Sequence, residues 1–188
     1  MFVTETWLNN DSQFSTPIGY KALFCNRQDR HGGGIMVIYK ENIHITSGDR
    51  NNTNLHTFEL LETTLNIDNK SYHIFCVYRP PPSRKNKLKP SDFLDEFETF
   101  LHERLLNLDN VLILGDFNIH IDNTSDPSTK AFLQTLETFD LQQHVNVATH
   151  EAGHILDLVV TRNSEDNIFS VTVEDCSVSD HSIDRNEI

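Results

Sequence analysis

Cysteine is scarce: Cys25, Cys76 and Cys176 are the only three among 188 residues, an odd number at wide spacing. That excludes a disulfide framework as the basis of the fold and points to a reducing compartment. Glycine and proline are also few, 7 and 6 residues, which excludes collagen-like and linker-like classes. No apolar run approaches the roughly 20 residues that a membrane helix needs. The opening Met1-Phe2-Val3-Thr4-Glu5-Thr6-Trp7 lacks the basic start and apolar stretch of a secretion signal. The expectation is an intracellular protein, nuclear or cytoplasmic, without a membrane partner. Positive charge is thin as well. Fifteen Lys and Arg face 28 Asp and Glu, a net charge of −13, which disfavours indiscriminate attachment to phosphate backbones.

What is present reads as globular. Hydrophobic residues make up 37% and charged residues 23%, and the length suits a single domain over residues 1–188 with a real core. The few positive charges are concentrated. Between Asn69 and Ser91 there is no Asp or Glu, while Lys70, Arg79, Arg84, Lys85, Lys87 and Lys89 lie there. The remaining chain then carries nine basic against 28 acidic residues, a charge of −19. One basic segment on an acidic body suggests a directed anion contact; a merely solvated loop is the alternative.

Along the chain, Met1–Trp7 reads as the end of a strand, Asn9–Tyr20 as a polar turn-rich stretch, and Ile35–Tyr39 as a β run after the glycine turn. Asp49–Asn54 is another loop. Phe58–Ile67 and Ser71–Tyr78 form a hairpin about Asp68-Asn69, and Pro80-Pro81-Pro82 ends its second strand. Phe93, Phe97, Leu101, Leu105 and Leu108 recur at helical spacing and predict a helix over 91–108 with Ser91 as N-cap. A second helix is predicted over 129–139. Val111–Leu114 reads as a buried strand. Further strands are predicted over 145–148, 155–161 and 168–173. Hairpins mixed with helices favour an α+β fold.

The buried strand runs into Gly115-Asp116-Phe117-Asn118, which sets a carboxylate and a carboxamide two residues apart, on one side of an extended chain. Four other places add chemistry. Glu5 ends the first strand. Tyr78 ends another and precedes Arg79-Pro80. Asp157 interrupts an apolar strand, where a carboxylate is costly without a partner. Ser179-Asp180-His181 sets an acid beside a histidine. Each alone also has a bland reading as a turn, cap or surface residue. His150-Glu151-Ala152-Gly153-His154 matches H-E-x-x-H, which binds zinc only when both histidines share a helical face. Gly153 and the flanking β-branched residues oppose a helix there, so a loop between strands is expected. Gly32-Gly33-Gly34 lacks the Lys-Ser/Thr of a phosphate loop and reads as a turn.

Taken in order, Thr4-Glu5-Thr6-Trp7-Leu8, Gly32-Gly33-Gly34-Ile35, Tyr78-Arg79-Pro80-Pro81, Gly115-Asp116-Phe117-Asn118, Leu156-Asp157-Leu158-Val159 and Ser179-Asp180-His181 resemble the endonuclease/exonuclease/phosphatase superfamily. Within it, the chain is most similar to the endonuclease domain of non-LTR (LINE-type) retrotransposons. The resemblance implies an α+β, four-layer α/β/β/α sandwich (DNase I-like), missing the first and last strands and so a fragment of the domain. The family's first strand bears an Asn with no counterpart here, and the tail Ile183–Ile188 is too polar for its closing strand.

By that resemblance the chain is an Mg²⁺-dependent (or Mn²⁺-dependent) DNA endonuclease domain hydrolysing phosphodiesters. Glu5 ligates the metal and Asp180 lies near it. Asp116 activates water, with Asn118 holding the geometry. His181, oriented by Asp157, donates to a phosphoryl oxygen, and Tyr78 contacts the phosphate. Arg79, Arg84, Lys85, Lys87 and Lys89 are the expected DNA contacts. Nothing in the sequence calls for a protein partner or an oligomer. The alternatives are a catalytically dead remnant or binding module of the same fold, or another phosphoesterase of the superfamily.

Overall fold

Apolar residues on both sides of the 58–78 hairpin dictate that its strands are buried on two faces. Leu60, Phe75 and Val77 belong to one core cluster, and Leu61, Ile74, Cys76 and Tyr78 to another, because successive side chains of a strand alternate. In the computed structural model these strands are β5 (Glu59–Ile67) and β6 (Lys70–Tyr78). They meet at Asp68 and Asn69, both at positive φ (48° and 62°), the backbone of a tight hairpin. The structure describes residues 1–9, 12, 14–26, 32–48, 55–163, 170–174, 180–181 and 183–187. His31, the 49–54 loop, residues 168–169 of an expected strand, Cys176 and Ser179 lie outside the described residues.

The hairpin forms the middle of a six-stranded sheet. It is joined by β4 (Ile45–Ser47), β7 (Val111–Asp116), β8 (Leu141–Gln143) and β9 (Asp157–Arg162), in the order β4-β5-β6-β7-β9-β8. β7 runs parallel to β6 and antiparallel to β9. A second sheet has the order β1-β3-β2, from β1 (Phe2–Thr4), β2 (Tyr20–Cys25) and β3 (Ile35–Lys40). It covers one face of the large sheet through Ile35 and Val37, which pack with Leu61, Ile74, Cys76, Leu112, Leu114 and Val159.

The other face takes the helices α1 (Pro90–Leu105) and α2 (Pro127–Thr138). Their contribution is largely aromatic: Phe93, Phe97, Phe100 and Phe132 close on Phe58, Phe75 and Phe117. Edge-on pairs such as Phe97 with Phe117, 5.9 Å between centroids at 89°, add specific geometry to the burial. The sandwich implied by the resemblance is present, with its helical layer described on one side only. Among the described residues no helix is long and apolar enough to cross a membrane.

Several local expectations shift for physical reasons. α1 starts at Pro90 with Lys89 as N-cap, since proline at the first helical position needs no amide partner. α2 starts two residues before Thr129 because Asp126 caps it, accepting from the amides of Ser128 (2.8 Å) and Thr129 (3.0 Å). The strand predicted over 145–148 is absent. The chain pairs as β8 instead and leaves the ladder after the amide of His144 meets the Val159 carbonyl. The tail does pair, though in neither main sheet: β11 (Ile183–Glu187) runs antiparallel to β10 (Ser170–Glu174) in a separate two-stranded sheet. Ladder bonds are backbone bonds, so side-chain polarity could not exclude it.

Gly115 interrupts β7 just before Asp116, at φ 135°, and a Cβ there would lie 2.0 Å from the Val77 carbonyl oxygen. Neither backbone can yield without breaking the β6–β7 ladder. Gly115→Ala should therefore cost about 4 kcal/mol or more, the range reserved for gross strain. Urea unfolding checks this, and a loss under about 1 kcal/mol would contradict the packing described.

Candidate active site at the strand ends

Register brings the chemistry together. Tyr78 pairs with Asp116 across β6–β7, and Asp116 pairs with Asp157 across β7–β9. The three residues form one row at the ends of three neighbouring strands. Their even spacing from Ile74, Cys76, Leu112 and Leu114, and from Val159, turns all three toward the smaller sheet.

Asp116 is buried, 1% exposed, and Asn118 grips both of its oxygens. The Asn118 amide donates to Oδ1 at 2.9 Å and its Nδ2 to Oδ2 at 2.7 Å. Asn118 makes this reach in the left-handed region, at φ 48°, where Asn is among the residues that tolerate the strain. Burial pushes the Asp116 carboxyl up to about 7, with the Asp157 and Glu5 charges adding to the shift and His181 and the Asn118 amide opposing it.

His181 closes the other side. Its Nδ1 lies 2.8 Å from Asp157 Oδ2, and this bond, with the Asp157 and Asp116 charges, raises the imidazole to about 9 against a smaller opposing effect of burial. Asp157 is itself placed by Thr149, a fully buried residue whose Oγ1 accepts from the amides of Leu156 (3.0 Å) and Asp157 (3.1 Å). The His150 ring lies edge-on to His181 at 5.0 Å, and His150 Nε2 is 3.4 Å from Asp180 Oδ2. Thr149 and His150 are the site neighbours that sequence reasoning missed. The only available signal was the histidine of the H-E-x-x-H word, which pointed elsewhere. That word is a loop, as expected, with His150 bridged to His181 and Gly153 at φ 83°.

Glu5 enters from the smaller sheet. The glycine run holds it there: the Thr6 amide meets the Gly34 carbonyl at 3.2 Å and the Trp7 amide meets that of Gly33 at 2.8 Å. Gly32, Gly33 and Gly34 all sit at φ between 74° and 90°, which a side chain would strain. The Tyr78 hydroxyl donates to Glu5 Oε1. Three-membered groups of metal-ligating atoms occur at Asp116/Asp157/His181 and at His150/Asp180/His181. Neither includes Glu5, so Glu5 and Asp180 are not gathered into one such group.

The basic segment divides. Arg79 is buried, 4% exposed. It donates to the carbonyls of Phe117 (3.0 Å) and Asn118 (2.9 Å) and lies over the Phe93 ring at 4.8 Å. It braces the Asp116–Asn118 turn. Arg84, Lys85, Lys87 and Lys89 are exposed on a loop ordered by Ser83 and Asn86, which bond each other's backbone amides.

The raised carboxyl has a measurable consequence. Below about pH 4 Asp116 is protonated both folded and unfolded and costs nothing. As pH rises toward 7 only the unfolded state ionises freely, so the metal-free fold loses on the order of 2–4 kcal/mol. His181 acts in the same direction at higher pH, its stabilisation being complete below about 6.5 and lost as pH passes 9. In EDTA, the melting temperature should fall between pH 4 and 7, and Asp116→Asn should remove most of that fall. An unchanged profile in the variant would contradict the placement of Asp116.

The sequence profile of the endonuclease–reverse transcriptase family matches residues 72–183, which span β6 through the start of β11. No curated protein sequence matches the chain. Solved structures are similar at low identity. The endonuclease domain of TRAS1, a telomere-specific non-LTR retrotransposon, superposes with TM-score 0.66 and 15% identity, covering 87% of this chain and 76% of that one. The 3′ phosphatase NExo from Neisseria, bound to a product DNA hairpin, gives TM-score 0.71 and 15% identity over 100% and 87%. A family protein from Leptotrichia buccalis gives 0.60 and 16% over 92% and 74%. The chain therefore belongs to the endonuclease–reverse transcriptase family, within the endonuclease/exonuclease/phosphatase superfamily and with its DNase I-like fold.

Proposed function

We propose that the chain hydrolyses phosphodiesters of DNA with the help of a divalent metal, as an endonuclease domain derived from a non-LTR retrotransposon. The observation that carries this reading is the strand-end row. It sets a buried carboxylate near neutrality beside a histidine that stays charged, which are the base and the cation that in-line attack on a phosphate requires. Family membership supports a phosphoester hydrolase, and the likeness to a retrotransposon endonuclease favours a nuclease.

Asp116, poised at about 7, takes a proton from the attacking water, while Asn118 fixes the orientation of both carboxylate oxygens. His181, held by Asp157 at Nδ1, presents Nε2 as a charged donor to a phosphoryl oxygen. Tyr78 aligns Glu5 and stands at the same edge for the phosphate. The excess of carboxylate at Glu5, Asp116 and Asp157 suits a hard cation such as Mg²⁺, which is bound through one or two carboxylates and keeps several waters. Glu5 would hold it, whereas Asp180, grouped instead with His150 and His181, is not assigned to that ion. When bound, the metal neutralises charge on the phosphate and its leaving oxygen. The exposed Arg84, Lys85, Lys87 and Lys89 meet the DNA backbone, and Arg79 acts from within by holding the Asn118 turn.

Nicking of supercoiled plasmid tests the reading. Mg²⁺ should support nicking and EDTA abolish it. Asp116→Ala and His181→Ala should each lower the rate at least about 100-fold, the scale of a lost base or electrostatic donor. In the same assay, replacing Arg84, Lys85 and Lys87 by Ala should raise the protein concentration required and flatten its salt dependence, by about 0.9 in the log–log slope per lost contact. Release of phosphate from a 3′-phosphorylated duplex with plasmid left intact would instead identify a phosphatase. Inert wild-type protein in both assays would mark a remnant.

A further inference from the structure

The two histidines of the H-E-x-x-H word part company in the fold. His150 turns to Asp180 and His181, whereas His154 lies across the Gly153 turn against a different loop. There His154 Nδ1 is 2.9 Å from Asp122 Oδ2, and its ring centroid is 4.0 Å from that of His120. We propose that His120, Asp122 and His154 form a zinc-class metal site, separate from the strand-end site and independent of its proposed chemistry.

Local structure builds the site. Ile121 and Ile155 are partly buried against the core, and the Ile121 amide meets the Ile155 carbonyl at 3.3 Å. With Ile121 turned inward, the His-x-Asp spacing turns His120 and Asp122 outward together. Asp122 is fixed further: its Oδ1 accepts the Ile155 amide at 3.0 Å. Among the described residues no hydrogen bond engages the His120 ring, whose contact is with His154.

One ligand atom from each of the three residues lies within 4.8 Å of the others. An ion about 2.0–2.1 Å from every ligand sets neighbouring ligands roughly 2.9–3.4 Å apart. The His154–Asp122 separation already meets that, and the exposed His120 ring needs only a small rotation. Two imidazoles and one carboxylate select zinc or a similar first-row divalent ion over Mg²⁺. All three residues are at least partly exposed, which leaves the fourth position to water. Bound there, the ion ties the 119–126 loop after Asn118 to the 149–156 loop that carries Thr149 and leads into Asp157.

Cobalt(II), read by its visible absorption, and zinc titrated calorimetrically into the metal-free full chain test the proposal. The expected result is one equivalent bound by His181→Ala, which lacks the strand-end histidine, and the same equivalent in the wild type beside any ion held at the strand-end site. Affinity should drop at least tenfold in His120→Ala and in Asp122→Asn, both of which should keep the wild-type metal-free fold by circular dichroism. Zinc should raise the melting temperature of the wild type and not of those two variants. Absence of stoichiometric binding by folded wild type would overturn the site. So would binding that survives His120→Ala and disappears in His181→Ala.

Discussion

Two carboxylates, Asp116 and Asp157, face each other across an antiparallel ladder, with a third, Glu5, near enough to push the Asp116 carboxyl up. Burial of like charges is unfavourable by several kcal/mol unless something answers it, and each neighbouring feature is an answer. Asn118 donates twice to Asp116, His181 offers its charge to Asp157, and the Tyr78 hydroxyl binds Glu5. What remains unanswered is the carboxyl near neutrality, and this residue of strain is what the proposed chemistry would use.

The rest of the fold keeps that row in place. The aromatic cluster under α1 and α2 fixes one face of the large sheet, and the glycine-bearing smaller sheet delivers Glu5 to the other. Gly115 lets β7 press against the Val77 carbonyl, so that Asp116 reaches the end of its strand in register with Tyr78 and Asp157. Arg79 completes the support from inside. Its guanidinium holds two consecutive carbonyls of the turn that aims Asn118.

Much of this was legible in the chain. The hairpin about Asp68-Asn69, both long helices and the buried strand before Asp116 follow from periodicity and turn chemistry. The ordered words Gly-Asp-Phe-Asn and Ser-Asp-His carried the family. Less visible was anything that depends on long-range register. Arg79 sits among lysines and reads as a surface cation, and only the meeting of β6 with the 117–118 turn buries it. Thr149 has no sequence signature, since its role is to accept backbone amides seven and eight residues away. His150 was hidden inside a motif whose helix does not form. β11 escaped because polar side chains conceal a backbone ladder.

The strand-end row sets the charge on His181 through Asp157. Titration of the His181 imidazole by ¹⁵N NMR measures it directly. The geometry predicts a midpoint near about 9 in the metal-free wild type, returning toward about 6.5 in Asp157→Asn. A wild-type midpoint near 6.5, unmoved by that substitution, would contradict it.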